Sequence, residues 1–413
     1  MSLFDRIIHK KEKEPAGGGG AAETALSPEK QRPSCEISWP PMQPVNGIRV
    51  KTDADAGKPV IPESVLISEK RRGEIGTLID GSPMDTETLR FLSMQELLLL
   101  VAYLEKADTD TLHRTGDGEE DGDPVPGEEY LRILRNEVIS RIRKAEKLYC
   151  LYDVSTAYPF LDNGCALVYL DKETAEYAVK LYAAQNRRLV IQECPGEGSQ
   201  EGKGRGTFFD LMYMIGADRL IIDNGCYNMH FERTEIVADP GDWGAKKDPM
   251  PVNSALVSAM LEFLQELKWQ VGYEQRALVL RAREAKMLEC IRKASFIIPA
   301  RHDGPAEVLD GGMLKAGPDM KVYFPMLKGD NGEDFLPVYT DMGEFSRRFG
   351  SGDWMAGVFN FRTLFSYVAD KSGFIINPDG ERIIITSERL RSMEGVPNGS
   401  TRDDNVVKYT DQT

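Results

Sequence analysis

The chain has 413 residues, of which 41% are hydrophobic and 28% are charged, and its net charge is −15. This length allows two or three domains with sizeable cores, and the apolar fraction excludes a wholly disordered chain. The acidic balance argues against nucleic acid as a partner, since nucleic-acid-binding domains are normally basic.

The same composition bears on location and on metal binding. No apolar run approaches the ~18 residues that cross a bilayer, so we expect no membrane span. The first residues, MSLFDRIIHKK, are too short and too charged for a secretory signal, which favours a cytoplasmic protein. The six cysteines include no CxxC pair and the four histidines are far apart in sequence. We therefore predict neither a metal site nor a cofactor.

Both ends of the chain are predicted to be tails. Residues 1–60 contain seven prolines and six glycines, with Gly17–Gly20 in succession. Such a segment cannot bury enough apolar surface to offset its ordering entropy, which predicts a disordered tail with ordered structure beginning near residue 60. Residues 393–413 are predicted to be a C-terminal tail.

Residues 61–126 are predicted to form a helical arm and an acidic linker. Leucines at helical spacing predict a helix that Asp85 or Thr86 caps and that extends past Leu100. A second helix is predicted over 128–147, because apolar residues recur there with the same period.

The acidic linker contains a pattern that resembles a calcium loop. Acidic residues and a glycine between Asp117 and Glu128 have the ligand spacing of such a loop, with helices on both sides. Glu119 is one methylene too long for its position, and Pro124 lacks the N–H that the short pairing strand needs. We therefore predict a solvated acidic loop without a calcium site.

The most informative feature is an internal repeat. The segment IRKA at Ile142–Ala145 recurs at Ile291–Ala294, and each copy precedes an apolar strand, KLYCLY and SFIIPA. Further matches keep the same order as far as two Ile-Ile pairs, at 221–222 and at 375–376. A shared order over such a distance predicts a tandem duplication.

This repeat predicts an α+β fold with two tandem related mixed-sheet units, linked by helices and preceded by the disordered tail. The units are predicted at 127–240 and 278–392, with a linker and helix at 241–277. Inserted residues are expected at 193–206 in the first unit and at 301–320 in the second, where the composition is that of loops.

The second unit resembles a known family. The run FPML, NG and FLPVYTD between Phe324 and Asp341, together with GFIINPDGE at Gly373–Glu381, resembles the SseB family of bacterial proteins. The resemblance covers about residues 278–392 and implies a bacterial cytoplasmic protein. The family has no established catalytic activity, so it implies no catalytic residues. The first unit is similar to a diverged relative, since it has Asp223-Asn224-Gly225 in place of the Asn-Pro-Asp-Gly turn.

The function predicted from these features is that of a non-catalytic interaction or regulatory protein with a protein partner. The second unit keeps the family-like turn, whereas the first unit shows that other residues can build one. This contrast favours a binding role for the second unit. The candidate interaction surface consists of Phe324, Pro325, Asn377, Pro378, Asp379 and Gly380.

Two alternatives remain open at this stage. Cys194 precedes a Gly-rich loop and a helix that begins near Thr207, a layout that suits a thiol enzyme handling sulfur or phosphoryl groups. That enzyme would need the thiolate at the helix start with Arg205 folded back over it, yet Gln200 stands where a phosphatase loop has arginine. The other alternative is a scaffold that recruits partners through the tail and the helical arm.

Overall fold

The structure is a computed structural model. The residues it describes are 39–42, 45, 60–63, 65–79, 86–112, 126–199, 206–238, 250–303, 306–309, 313–316, 321–329, 331–350, 354–368, 371–394 and 408–410.

The described part of the N-terminal arm contains several helices, where the sequence predicts one long helix from residue 86. Its helices are α1 (Glu69–Ile79), α2 (Thr86–Arg90) and α3 (Met94–Leu112), and α4 (Pro126–Lys144) follows at the start of the first unit. The single helix predicted from residue 86 breaks at 91–93, because Ser93 starts a new helix. The Ser93 hydroxyl accepts from the Glu96 N–H, and the Glu96 carboxylate accepts from the Ser93 N–H at 2.8 Å. This reciprocal pair is a capping box.

Ordered packing begins earlier in the chain than the composition predicts. The Trp39 ring lies 5.3 Å from the Tyr103 ring of α3, and Val45 is only 4% exposed. These apolar side chains therefore pack against the body of the protein from within the segment that was predicted to be a tail.

The first unit is built on one mixed sheet. Its elements are β1 (Lys147–Asp153), β2 (Tyr158–Pro159), β3 (Leu161–Asp162), β4 (Cys165–Tyr169), α5 (Lys172–Ala183), β5 (Leu189–Pro195), α6 (Phe208–Met214), β6 (Arg219–Ile222), β7 (Met229–Glu232) and α7 (Arg233–Ile236). The strand order is β5–β1–β4–β6–β7, with β2 beside β1 and β3 beside β4. Among the described strand pairs of this unit, β4–β6 alone is parallel.

Two helices connect the units. They are α8 (Ser254–Lys268) and α9 (Arg276–Lys293), and residues 269–275 separate them. The helix α8 is buried on two sides. Val257 and Leu261 belong to the core of the first unit, whereas Leu256 and Met260 belong to the core of the second.

The second unit follows the same plan. Its elements are β8 (Ser295–Asp303), β9 (Ala306–Leu309), β10 (Met313–Ala316), β11 (Lys321–Tyr323), β12 (Leu327–Lys328), β13 (Asp334–Val338), α10 (Met342–Phe349), β14 (Met355–Asn360), α11 (Phe361–Val368), β15 (Gly373–Ile376), β16 (Ile383–Thr386), α12 (Ser387–Glu394) and β17 (Lys408–Thr410). The hairpin β9–β10 occupies the insertion predicted at 301–320. The strand β17, from the predicted C-terminal tail, pairs with β14.

The strands of the two units pair in the same order and sense. In the second unit β14 pairs antiparallel with β8, β13 pairs parallel with β15, and β15 pairs antiparallel with β16. A bridge between Ile297 and Tyr339 joins β8 to β13, where the first unit has a longer β1–β4 pairing. The α+β fold class predicted from the sequence is confirmed. No helix among the described residues combines the length and the apolarity that crossing a bilayer requires.

Candidate functional site

The residues predicted as one interaction surface lie in two places. Phe324 and Pro325 directly precede β12, which pairs with Phe335 at the start of β13. The turn at 377–380 follows β15 and lies at the other end of β13, because the Asn377 N–H donates to the Val338 carbonyl at 2.9 Å. The structure therefore places these two groups of residues at opposite ends of β13, and their role as an interaction surface stays a prediction.

Asn377 is a buried residue whose side chain makes structural hydrogen bonds. Its exposed fraction is 3% and its φ is 46°, in the left-handed region that asparagine tolerates better than most residues. Its Oδ1 accepts from the Thr340 N–H at 3.0 Å, and its Nδ2 donates to the Thr340 hydroxyl at 3.0 Å. The side chain thus fixes the connection between β13 and α10.

The other turn residues differ in their surroundings. Pro378 is half-buried, whereas Asp379 is exposed and accepts from Arg348 Nε at 2.8 Å. This hydrogen bond raises the pKa of Arg348. A Cβ at Gly380 would lie 2.5 Å from Oε2 of Glu344, so glycine permits the close approach of the turn to that carboxylate.

Phe324 belongs to a group of aromatic rings on the other side of the unit. Its ring lies edge-on to Phe359 at 5.7 Å and to Tyr367 at 5.3 Å. Phe359 is buried, whereas Tyr367 remains 45% exposed. We call Phe324 and Tyr367 the aromatic face, with Pro325 half-buried beside it.

The enzymatic alternative required Cys194 at a helix start, and the structure contradicts this. Cys194 lies in β5 and is 7% exposed, and its Sγ is 3.2 Å from the Sγ of Cys150 in β1. The next helix, α6, is capped by Thr207 instead. The hydrogen bond from Cys150 lowers the pKa of Cys194, and the same contact raises the pKa of Cys150. Arg205 and Gln200 lie outside the described residues.

A cavity of about 230 Å³ lies where the two units meet. Apolar side chains of α6 and α8 form much of its wall, and α10 and the turn after β15 contribute charged groups. We call it the junction cavity. No sequence signal pointed to it, because its walls come from segments that are far apart in the chain.

Glu344 is the distinctive group of the junction cavity. It is 8% exposed, and its Oε1 accepts from the Tyr158 hydroxyl at 2.8 Å and lies 3.0 Å from an Arg347 nitrogen. Its Oε2 has no hydrogen-bond partner. Burial raises the pKa of Glu344. The cavity wall therefore combines apolar side chains with a buried carboxylate that Tyr158 and Arg347 hold in place.

Two predictions concern segments that the structure describes only in part. The acidic loop at 117–128 lies outside the described residues up to residue 125, so the absence of a calcium site there stays a prediction. The scaffold alternative depends on the tail and the helical arm, and residues 1–38 of that tail also lie outside the described residues.

The fold and the site define an α+β protein whose two mixed-sheet units meet at a small cavity. Residues 274–392 match the family model described as SseB protein N-terminal domain, which agrees with the resemblance seen over 278–392. The match covers the second unit, and the kinship of the first unit at 127–240 stays a prediction. No curated protein and no solved structure matches the chain.

Proposed function

We propose that this chain is a non-catalytic cytoplasmic regulatory protein of the bacterial SseB type, which acts by binding another protein through the aromatic face. The observation that carries this proposal is the exposure of Tyr367, which is 45% exposed while its ring packs edge-on against Phe324. Rigid, half-exposed aromatic side chains are the residues most enriched at the centres of protein interfaces. The SseB match over this unit supports the proposal.

The placement of the cysteines favours this function over the enzymatic alternative. A catalytic thiolate needs access to its substrate and a stabilising positive environment. Cys194 is instead buried in a strand against a second thiol. The net charge of −15 favours a protein partner over a nucleic acid.

The proposal includes the origin of the two units. We infer that the first unit is a diverged tandem copy of the second, and that the partner binds the second. The shared strand order and the parallel pair at the same place in each sheet support the duplication. The left-handed Asp223 and Asn377, each directly after the parallel strand, support it as well.

The test is photo-crosslinking in cells of the native host. Benzoylphenylalanine replaces Tyr367 in one variant and Phe91, 46% exposed on the helical arm, in the other. We expect a discrete crosslinked protein from position 367. A product from position 91 alone would favour the scaffold alternative and contradict the aromatic face.

A quantitative measurement follows on the purified partner. Tyr367→Ser is expected to weaken its binding at least tenfold, or about 1.4 kcal/mol, because an anchoring ring is lost. Ile384→Ser is the control, since Ile384 is equally exposed but lies on β16. Equal affinities for both variants would place the interface elsewhere.

A further inference from the structure

We propose that Cys150 and Cys194 form a modification site, at which a low-molecular-weight disulfide such as oxidised glutathione converts the two thiols into an intramolecular disulfide. The modification changes the chain itself and involves no turnover of a substrate. It lies apart from the aromatic face, and neither proposal depends on the other.

Strand register places the two thiols on the same face of the first sheet. Cys194 of β5 lies opposite Leu148 of β1, and Cys150 is two residues further along β1. Side chains two residues apart on a strand share a face, so the two cysteines are diagonal neighbours on adjacent strands. Their Sγ atoms are 3.2 Å apart. Forming the bond therefore requires an approach of only about 1 Å.

The second unit shows that the fold does not require cysteine at this diagonal. Cys150 is the fourth residue of β1, and the fourth residue of β8 is Ile298. The residue diagonal to Ile298 on β14 is Phe359, because Phe359 lies opposite Phe296. These side chains are apolar and buried. Ordinary core residues thus fill the position, and a pair of thiols adds a chemistry that packing does not need.

The surroundings of the two thiols give them different roles. Cys194 is 7% exposed, whereas Cys150 is 1% exposed. The hydrogen bond from Cys150 lowers the pKa of Cys194, and the same contact raises the pKa of Cys150. The thiolate is the form that attacks a disulfide. Cys194 is therefore the attacking residue and Cys150 is the resolving residue.

The position of Cys194 gives a small oxidant access to it. Among the described strands, β5 pairs with β1 alone, and Cys194 is the last residue but one of β5. Opening the end of this edge strand exposes the thiol, and such local opening costs much less than global unfolding. Slow opening limits the rate of oxidation but not its equilibrium. A single modification tolerates that limit, whereas catalytic turnover would not.

The reaction consists of two successive thiol–disulfide exchanges. The Cys194 thiolate attacks one sulfur of the small disulfide, which forms a mixed disulfide and releases one small thiol. Cys150 then loses its proton and attacks Sγ of Cys194, which forms the protein disulfide and releases the second small thiol. The two cysteines lose two electrons and two protons in total, and these convert one small disulfide into two thiols.

The modification makes the end of β5 sensitive to the redox state of its surroundings. A reducing compartment keeps both thiols free, and the disulfide forms when the glutathione pool becomes oxidised. Once formed, it joins the end of an edge strand covalently to β1. The strand end can then no longer separate from the sheet.

The first experiment equilibrates the full-length wild-type chain in buffers with different ratios of oxidised to reduced glutathione. Free thiols are then alkylated, and the digested protein is analysed by mass spectrometry. We expect a peptide pair linked through Cys150 and Cys194. Its amount should fall with the square of the reduced glutathione concentration, because each link releases two glutathione thiols. Absence of this pair in the most oxidising buffer, or equal amounts of pairs with other cysteines, would overturn the proposal.

The second experiment tests the two roles with single variants in the same buffers. Cys150→Ala should accumulate one glutathione on Cys194, because the resolving thiol is gone. Cys194→Ala should take up glutathione on Cys150 at least tenfold more slowly. Cys226→Ala, a change at a buried cysteine outside the pair, should form the link as the wild type does. Equal uptake by the first two variants would contradict the proposed roles.

A further variant protects this experiment against a failure to fold. Cys150→Val replaces the thiol with an apolar side chain, as Ile298 does in the second unit, and should also accumulate glutathione on Cys194. Unfolding temperatures show which variants are folded. The experiment on the wild-type chain needs no substitution and decides by itself whether the disulfide forms.

Discussion

At the scale of single residues, Asp223 is an acidic group that is fully buried directly after β6. Its carboxylate accepts from Gln95 Nε2 at 2.7 Å and from the Thr174 hydroxyl at 3.4 Å. Burial raises the pKa of Asp223 to about 7. The folded chain therefore binds more protons than the unfolded chain between about pH 4 and pH 7, and this group makes stability fall as the pH rises through that range.

We accordingly predict that Asp223→Asn removes this pH dependence and makes the protein more stable than the wild type above pH 7. Asparagine tolerates the φ of 48°, and Gln95 Oε1, which has no partner, can accept from the new amide. The gain is on the order of 1.4 kcal/mol for each unit of raised pKa, as an upper bound. Urea unfolding from pH 4.5 to pH 8 measures it, and parallel curves for the two proteins would contradict the prediction.

Asn377 and Asp379 allow a matched comparison within one turn. Asn377→Ala leaves the Thr340 N–H without its acceptor and forces alanine into a left-handed conformation. We expect a loss of about 1–3 kcal/mol of stability. Asp379→Ala removes only an exposed ion pair, worth roughly 0–1 kcal/mol. Denaturant unfolding of both variants distinguishes them, and equal losses would mean that the turn does not depend on Asn377.

At the scale of elements, the sequence predicted a helix or strand well where its apolar periodicity continued over many consecutive residues. The helix at 126–144 and the strands β1 and β8 lie close to where their apolar periodicity placed them. The break before α3 was missed although Ser93 and Glu96 carry its signal, because the leucine pattern runs across it. The helix α1 was missed because its residues, EKRRGEIGTLI, have no clear apolar face.

The register of β5 shows a limit of matching residues by type. Matching the two units by residue type would pair Val190 with Val358, because both are valines in an apolar run. Tyr149 and Ile297 are the third residues of β1 and β8. Strand pairing places Glu193 opposite Tyr149 and Val358 opposite Ile297, so Glu193 and Val358 hold the same position in the two sheets. The strand therefore extends to Pro195, and the inserted loop begins after it. Hydrogen bonding fixes this register, and single residue types do not encode it.

The same strand pairing brings Cys150 and Cys194 together and predicts a measurable coupling. Because a hydrogen bond from Cys150 lowers the pKa of Cys194, Cys150→Ala should raise it. Iodoacetamide alkylation of Cys194 against pH, followed by mass spectrometry, should show its inflection move to higher pH. Cys165→Ala serves as the control, because Cys165 is also a buried cysteine and lies in β4. An unchanged inflection in the Cys150 variant would mean that the two thiols do not interact.

At the scale of the whole molecule, the sequence repeat predicted two units in succession. It did not predict how the two units meet. The helix α8 was recognisable as a helix, yet nothing in its pattern indicated that neighbouring faces pack into different cores. Gln265 illustrates the point, since it is 1% exposed and donates to the Pro159 carbonyl of the first unit at 2.8 Å. From sequence alone, a polar residue in a helix is expected to face solvent. Its burial can be predicted only when its hydrogen-bond partner is known. The junction cavity was unpredictable for the same reason.

The shared helix predicts that both units unfold together. If the first unit opens, Val257 and Leu261 of α8 lose their core, and the second unit keeps only one side of that helix. Leu134→Ala, a change at a fully buried position of α4, should cost about 2–5 kcal/mol. Hydrogen exchange should then show the amides of β6 and β15 losing protection by the same free energy, as a single cooperative unit does. Protection lost in β6 and retained in β15 would show that the second unit is stable by itself and that α8 does not couple the two.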